Sequence, residues 1–333
     1  MKLFNLGELN WRQTQLIYHA LAYNNIESLV LHSSKDKYIS VGLHQNPGDE
    51  LDLKYCNRNN IGIFRREIGG GTVLLDNNQI FYNLIINRNN PIVPYAPEAF
   101  FRKFLQPVIQ TYYELDIKAE FRPLCDLVVK KKKISGNGGG EVGECKVLGG
   151  SILLDFDYEC MANVLLSPDS LRVRYLELMQ NNLTTIRKEL GFIPSKEEIC
   201  SILIAKFTDL LGPMKRGRID TEITKKMMEL DKQYSSDTWL YQKGTRQEGR
   251  EIKVREGVFL FYNVFNTQKG SGEVTCEIEE NRVEKVTFSN TFLFVPTTQE
   301  KIEEKLIGLE YDRNKLVNEI SGLIKSYGGF IIA

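Results

Sequence analysis

The chain has 333 residues, 42% of them hydrophobic, and 43 basic side chains balance 43 acidic ones. A chain this long can bury a large core and usually divides into two domains. Its balanced charge sets up no global field for nucleic acid or a membrane surface, and no run of eighteen apolar residues suggests a transmembrane span.

The first residues, Met1 to Glu8, lack the apolar stretch of a signal peptide, so the expected location is the cytoplasm. Residues 11–24 carry a helical stripe of Leu16, Ile17, Ala20 and Leu21. Residues 28–31 and 38–42 read as strands. Residues 61–64 read as a strand entering a glycine-rich stretch, and 73–75 and 80–86 as strands leaving it. One helix is expected over 97–115, a hairpin over 126–136, a strand over 147–155 and a helix over 158–166. Residues 168–232 are helix-rich and charged. Strands and helices mix without regular βαβ alternation, which predicts an α+β fold.

Residues 242–251 are polar and contain two glycines, the pattern of an interdomain linker and hinge. Beyond it the pattern restarts, with strands expected over 258–264, 273–278 and 282–288 and helices near 298–307 and 313–326. The expected division is a large mixed-sheet catalytic domain over 1–246 and a small α+β accessory domain over 250–333.

Six cysteines, Cys56, Cys125, Cys145, Cys160, Cys200 and Cys276, form no CxxC pair. The only histidines are His19, His32 and His44. This pattern argues against a structural zinc site and against a Ser-His-Asp or Cys-His triad.

Two stretches carry the chemistry. The first is Arg65-Arg66-Glu67-Ile68-Gly69-Gly70-Gly71-Thr72-Val73. Glycines allow close backbone approach, free N–H groups cradle an anion, and Arg adds bidentate contacts to phosphate or carboxylate. A glycine run by itself is more often a turn. The second is Lys133-Ile134-Ser135-Gly136, which places an ammonium at the start of a small-residue turn. Lys130, Lys131 and Lys132 before it read as a solvated basic turn, and strand alternation cannot choose the inward lysine without the register.

With these motifs the chain resembles the lipoate–protein ligases, relatives of the biotin–protein ligases and octanoyl transferases. Further matches are Val41-Gly42, Gln45-Asn46 with Glu50, Cys125-Asp126-Leu127-Val128-Val129, and Ser236-Asp237-Thr238-Trp239-Leu240-Tyr241 before the accessory domain. The resemblance implies ATP and Mg²⁺ as cofactors and an acyl-adenylate intermediate. It implies that Lys133 is catalytic, contacting both the acyl carbonyl and the α-phosphate. It places Arg66, Gly71, Thr72, Val73 and Leu74 at the nucleotide, and Arg65, Gly69, Gly70 and Gly71 at lipoate. Asp126 is the candidate metal ligand, with Asp76 as the other nearby carboxylate. The implied partners are free lipoate or octanoate and the lipoyl domains of 2-oxoacid dehydrogenase acyltransferase subunits or the H protein of glycine cleavage.

The chain also departs from the family pattern. Leu75-Asp76 stands where many ligases have His-Asp, Gln79 replaces an Asn, and Leu43 stands at an Arg position. A second glycine-rich stretch, residues 137–151, replaces a basic segment ending in His-His-Gly-Thr, and is expected to be a lid or a disordered loop. An ATP-dependent ligase is the first reading. The alternatives are an ATP-independent lipoyl or octanoyl transferase, with Cys125 as rival nucleophile, and a non-catalytic member that binds lipoyl carriers.

Overall fold

The computed structural model describes residues 1–242, 250–267, 270–289 and 296–327. The linker expected over 242–251 falls largely on 243–249, outside the described residues. The chain forms two compact units, Met1–Leu166 with Leu183–Gly244, and Ser167–Asn182 with Thr245–Ala333. The sequence reading left residues 167–182 in the first domain; their contacts place them in the second unit.

The first unit contains strands β1 (Lys2–Leu9), β2 (Ser28–Ser34), β3 (Tyr38–Val41), β4 (Gly62–Arg65), β5 (Val73–Leu75), β6 (Gln79–Asn87), β7 (Glu120–Arg122), β8 (Asp126–Val129), β9 (Lys132–Val142), β10 (Cys145–Leu153) and β11 (Lys215–Arg216). Its helices are α1 (Trp11–Tyr23), α2 (Pro47–Glu50), α3 (Leu53–Arg58), α4 (Pro97–Phe104), α5 (Gln106–Glu114), α6 (Tyr158–Asn163), then, after α7 (Asp169–Asn182) of the second unit, α8 (Ile186–Leu190), α9 (Lys196–Leu211), α10 (Thr221–Tyr234) and α11 (Asp237–Leu240). The main sheet is mixed, in the order β11-β1-β2-β6-β10-β9-β8-β7, and β4-β3-β5 form a small second sheet.

Both faces of the main sheet are covered, so β2 is buried throughout and β6 nearly so. One face packs Leu29, Leu31, Tyr82, Leu84 and Leu148 against Phe104, Val108 and Tyr112 of α4 and α5 and Leu203 and Phe207 of α9. The other packs Val30, Ile85 and Val147 against Leu16, Ile17 and Leu21 of α1 and Ile223 and Leu230 of α10.

Three local expectations are corrected. The helix over 97–115 is two helices, because Pro107 opens α5, and a proline lacking N–H suits a helix start and breaks an interior. The second glycine-rich stretch is neither a lid nor disordered. It forms the β9–β10 hairpin, turning at Gly143 (φ +57°) and paired in continuous register with β6 beyond it. Strand β1 gave no sequence signal because only Phe4 is buried along it and its register shifts between Asn5 and Glu8.

The second unit contains the antiparallel sheet β12 (Arg250–Arg255), β13 (Val258–Thr267), β14 (Gly270–Glu279) and β15 (Arg282–Ser289), with α12 (Pro296–Leu306) and α13 (Arg313–Ser326). Helix α7 joins it through an ion pair from Arg174 to Glu277 on β14. Asn182 at the end of α7 accepts from Nε of the buried Arg255 at 2.9 Å.

Candidate active site

The floor of the site is a stretch of sheet with almost no side chains. On β9, Gly136, Gly138 and Gly140 alternate with residues facing the other way. A Cβ on Gly139 would meet Phe101 of the helical layer at 3.1 Å. On Gly138 it would lie 3.5 Å from the Gly69 carbonyl oxygen, and on Gly140 3.4 Å from Ile68. The floor continues across the register Gly138↔Gly149↔Asn83 and Gly136↔Ser151↔Phe81. The loop from Ile68 to Gly70 therefore lies directly on the glycine strip. The sequence signal for this floor is the period-2 spacing of Gly136, Gly138 and Gly140, which runs from the end of the expected hairpin into the stretch expected to be a lid or a disordered loop.

Two buried polar residues share this face. His32 Nε2 bonds Asn83 Oδ1 at 3.0 Å, and His32 Nδ1 is buried with no partner among the described residues. Burial lowers the His32 pKa to about 4, so the ring is neutral at ordinary pH. His19 is also buried and lowered to about 4 by burial. Its Nδ1 donates to Gln15 O at 2.8 Å, and its Nε2 accepts from the Glu67 amide at 3.3 Å. The Glu67 carboxylate accepts from Tyr23 at 2.9 Å and Tyr234 at 2.7 Å, which fixes the loop entrance to α1 and α10. Sequence reasoning found no role for either histidine.

The glycine loop is held by arginine rather than left open. Arg66 is buried and donates to Ser40 O (2.9 Å), Gly69 O (3.0 Å) and Gly71 O (2.8 Å). By binding loop carbonyls it fixes the direction of the loop's peptide groups. Arg66, expected at the nucleotide, spends its donors on the chain around the loop. Arg65, expected at lipoate, donates to Leu43 O, Trp239 O (3.0 Å) and Gln242 O (2.8 Å). Its guanidinium lies 5.9 Å from the Trp239 ring centroid, and the Trp239 indole donates back to Arg65 O at 2.9 Å. Arg65 thus ties β4 to α11.

Gly70 has φ +101°, and a Cβ on Gly42 would collide with the Gly70 carbonyl, so both glycines are needed for the loop to cross β3. Gly71 has open space around it. Thr72 Oγ1 donates to Gln45 Oε1 at 3.0 Å, Leu74 is buried, and Val73 is 39% exposed. Gln79, at the family's Asn position, donates to Leu74 O at 3.0 Å.

Lys133 is brought to the floor by a bulge. Leu127 pairs with Ser135, but Val128 pairs with Lys133, so Ile134 is an extra residue on β9. Regular alternation would put Lys133 and Ser135 on one face. The bulge puts Ser135 on the helical side with Leu127 and Lys133 on the side of Val128 and Asp126. Lys133 Nζ pairs with Asp126 Oδ1 at 2.7 Å, and a Cβ on Gly136 would lie 3.3 Å from Lys133 Cε. The Lys133 backbone is pinned by Thr184 N–H at 2.8 Å. The loop and the lysine, some sixty residues apart in sequence, thus meet along one strand.

Asp126, the expected metal ligand, is 2% exposed and has an ammonium on its carboxylate. No cluster of three metal-ligating side chains occurs among the described residues. Asp76 is occupied with the Asn78 backbone amide at 2.8 Å. These carboxylates do not form a protein cage for a divalent cation. Cys125 Sγ donates to Asn137 O at 3.2 Å, a bond made by the protonated thiol. A cleft of about 250 Å³ between α1 and α10 includes Leu16, Met227 and Asp231 and none of the residues above.

The fold thus brings together a bare glycine strip, a clamped glycine loop lying on it and an ion-paired lysine beside it. Residues 7–208 match the family model of the lipoyl protein ligase A/B catalytic domain. The chain is 26% identical over 300 residues to lipoate-protein ligase LplJ of Bacillus subtilis, covering 88% of this chain and 85% of that protein. It is 26% identical over 229 residues to octanoyltransferase LipM of Kyrpidia tusciae, covering 62% of this chain and 83% of that protein. Among solved structures, the fold matches a bi-partite lipoate protein ligase of Thermoplasma acidophilum, studied with its E2 lipoyl domain (TM-score 0.64, 22% identity, 74% of this chain and 98% of that one). It also matches a lipoate-protein ligase A bound with ATP (TM-score 0.60, 22% identity, 72% and 98%).

Fold and site define an enzyme of the biotin/lipoate ligase superfamily acting on lipoyl or octanoyl groups. Within it, the chain belongs to the lipoyl protein ligase A/B catalytic-domain family. No helix among the described residues is long and apolar enough to cross a membrane.

Proposed function

We propose that the chain is an ATP-dependent lipoate–protein ligase of the cytoplasm. A carboxylate oxygen of lipoate or octanoate attacks the α-phosphorus of ATP, and pyrophosphate leaves with the bonding electrons. The lysine Nζ of a lipoyl-carrier domain then attacks the acyl carbonyl of the adenylate. AMP leaves, and the amide nitrogen loses its proton. The observation that carries this reading is Lys133, held at 2.7 Å from Asp126 beside the glycine floor. An ammonium pre-placed by a buried carboxylate needs little reorganisation to stabilise charge developing on the phosphoryl and carbonyl oxygens. The glycine floor admits the acyl chain, and the amides of Gly69 to Thr72, oriented through Arg66, are the donors for the nucleotide.

Mg²⁺ would enter with ATP, held mainly by phosphate oxygens. The carrier is a lipoyl domain, the kind of partner studied with the Thermoplasma ligase, or an H protein. The octanoyltransferase relative supports a second reading, ATP-independent transfer through Cys125. The thiol's bond to Asn137 O favours the first. Purified protein, lipoate and an apo lipoyl domain are incubated with and without ATP-Mg, and the carrier's mass is read. Lipoylation only with ATP supports the ligase. Equal transfer from octanoyl carrier without ATP, with a thioester on Cys125, overturns it.

A further inference from the structure

The β8–β9 hairpin closes through Lys130 and Lys131, with φ of +48° and +69°, and Val129↔Lys132 is its last pair. Two successive left-handed residues make the turn that Asn-Gly ordinarily fills, because L side chains rarely adopt that backbone. Among the described residues, the other positive-φ residues that are not glycine are Asn25, Asn60, Asp116, Glu280 and Asn281. All but Glu280 are of the Asn/Asp type that tolerates it. A Lys-Lys turn is therefore a poor choice for the hairpin alone. Lys130, Lys131 and Lys132 are all exposed, and none pairs with a carboxylate among the described residues. The next residue is Lys133.

We propose that this hairpin tip is the docking surface for a carrier domain whose acceptor lysine is flanked by acidic side chains. The inference rests on the acyl-transfer reading above. The second substrate is a folded domain, and its lysine must reach an acyl group activated beside Lys133. Lys132 adjoins Lys133 on β9, and Lys131 and Lys130 are the turn residues immediately before it. Three hydrated ammoniums in that position steer an acidic face toward the mouth and fix its orientation. Nothing in acyl-chain binding needs charges on the outside of the hairpin. The other anion that could reach them is the triphosphate tail of ATP, and the test separates the two.

The full chain is compared with the variant Lys130→Asn, Lys131→Gly, Lys132→Gln, which supplies the favoured turn while removing three charges. Three quantities are read: the Kd for a purified apo lipoyl domain by titration without nucleotide, the KM for that domain in ligation, and lipoyl hydroxamate formed from lipoate, ATP and hydroxylamine without carrier. The expected result is a Tm no lower than wild type and hydroxamate formation within about 2-fold. Carrier Kd and KM should rise about 10-fold at low ionic strength, a difference that vanishes in high salt. Unchanged carrier Kd and KM overturn the proposal. A raised KM for ATP in the hydroxamate assay, with carrier Kd unchanged, overturns it in favour of the nucleotide. Absence of hydroxamate from wild type would instead refute the ligase reading, and the carrier Kd would still decide the docking site.

Discussion

Lys133 and Asp126 form an ion pair at 2.7 Å in which the carboxylate is 2% exposed and the lysine side chain 18%. The pair holds an ammonium beside Gly136, and it gives Lys133 a structural role beside the catalytic one proposed for it.

Lys133→Ala should therefore do more than remove activity. Loss of a transition-state cation costs on the order of 10²-fold or more in adenylation rate. Leaving Asp126 without its ammonium destabilises by roughly 3 kcal/mol, the low end for a buried pair because Lys133 retains some exposure. The double variant Lys133→Ala, Asp126→Asn should recover much of the lost denaturant midpoint and none of the pyrophosphate release. Lys132→Ala should leave adenylation near wild type, and loss of adenylation there would reassign the essential lysine.

Arg66→Lys should fail to replace the guanidinium. One ammonium cannot span Ser40 O, Gly69 O and Gly71 O, which the planar fork reaches together. Stranding a buried carbonyl costs about 1–3 kcal/mol. The variant should fold with lower stability and show a raised KM for ATP in pyrophosphate exchange. Wild-type kinetics would show that the loop holds its form without the clamp.

The glycines separate by geometry. Gly42→Ala should be severely destabilising because its Cβ would occupy the Gly70 carbonyl position, and backbone there cannot yield. Gly71→Ala should be tolerated by the fold, with open space around it. Gly149→Ala places a methyl 3.2 Å from Asn83 Nδ2 and 3.4 Å from Ile68 on the floor. It should raise the KM for lipoate and spare that for ATP. Isothermal titration with lipoate checks this, and equal affinity would show that the acyl chain does not cross Gly149.

Stability should fall on acidification below neutrality. His19 and His32 have folded pKa values near 4, against 6.5 for the free side chain. A base with a depressed pKa loses stability as the unfolded chain takes up protons first. The contribution is complete above pH 6.5, declines by about 1.4 kcal/mol per unit for each ring between 6.5 and 4, and is flat below. Urea midpoints from pH 7.5 to 5 should show the slope, and His32→Gln should reduce it. An unchanged slope would mean that His32 titrates freely in the folded protein.

A chain cut after residue 246 should fold poorly. It keeps α7, whose Leu171, Tyr175, Leu178 and Met179 are buried within the second unit, and removes their partners. Such a truncation should bind a hydrophobic dye, whereas the full chain should not. A well-behaved truncation would show that α7 finds burial elsewhere.

Much of the architecture was legible because local signals agreed. The stripe of Leu16, Ile17 and Leu21 gives α1. The apolar run around Phe81 to Ile86 gives the central strand β6, and the interval 313–326 gives α13 to the residue. The family was readable from Arg-Arg-x-x-Gly-Gly-Gly and Lys-Ile-Ser-Gly because these residue types at this spacing are rare without a ligand. Long-range pairing decided the rest. Gly138 to Gly140 look disordered in isolation, yet β10 pairs with each of them in continuous register. Which of four lysines faces the site depends on a one-residue bulge that no local pattern encodes, since it exists only between two paired strands. Arg65 and Arg66 look like ligand-binding cations from composition. Their donors reach carbonyls of Ser40, Leu43, Gly69, Gly71, Trp239 and Gln242, four of them outside the motif, which only the folded chain brings within reach.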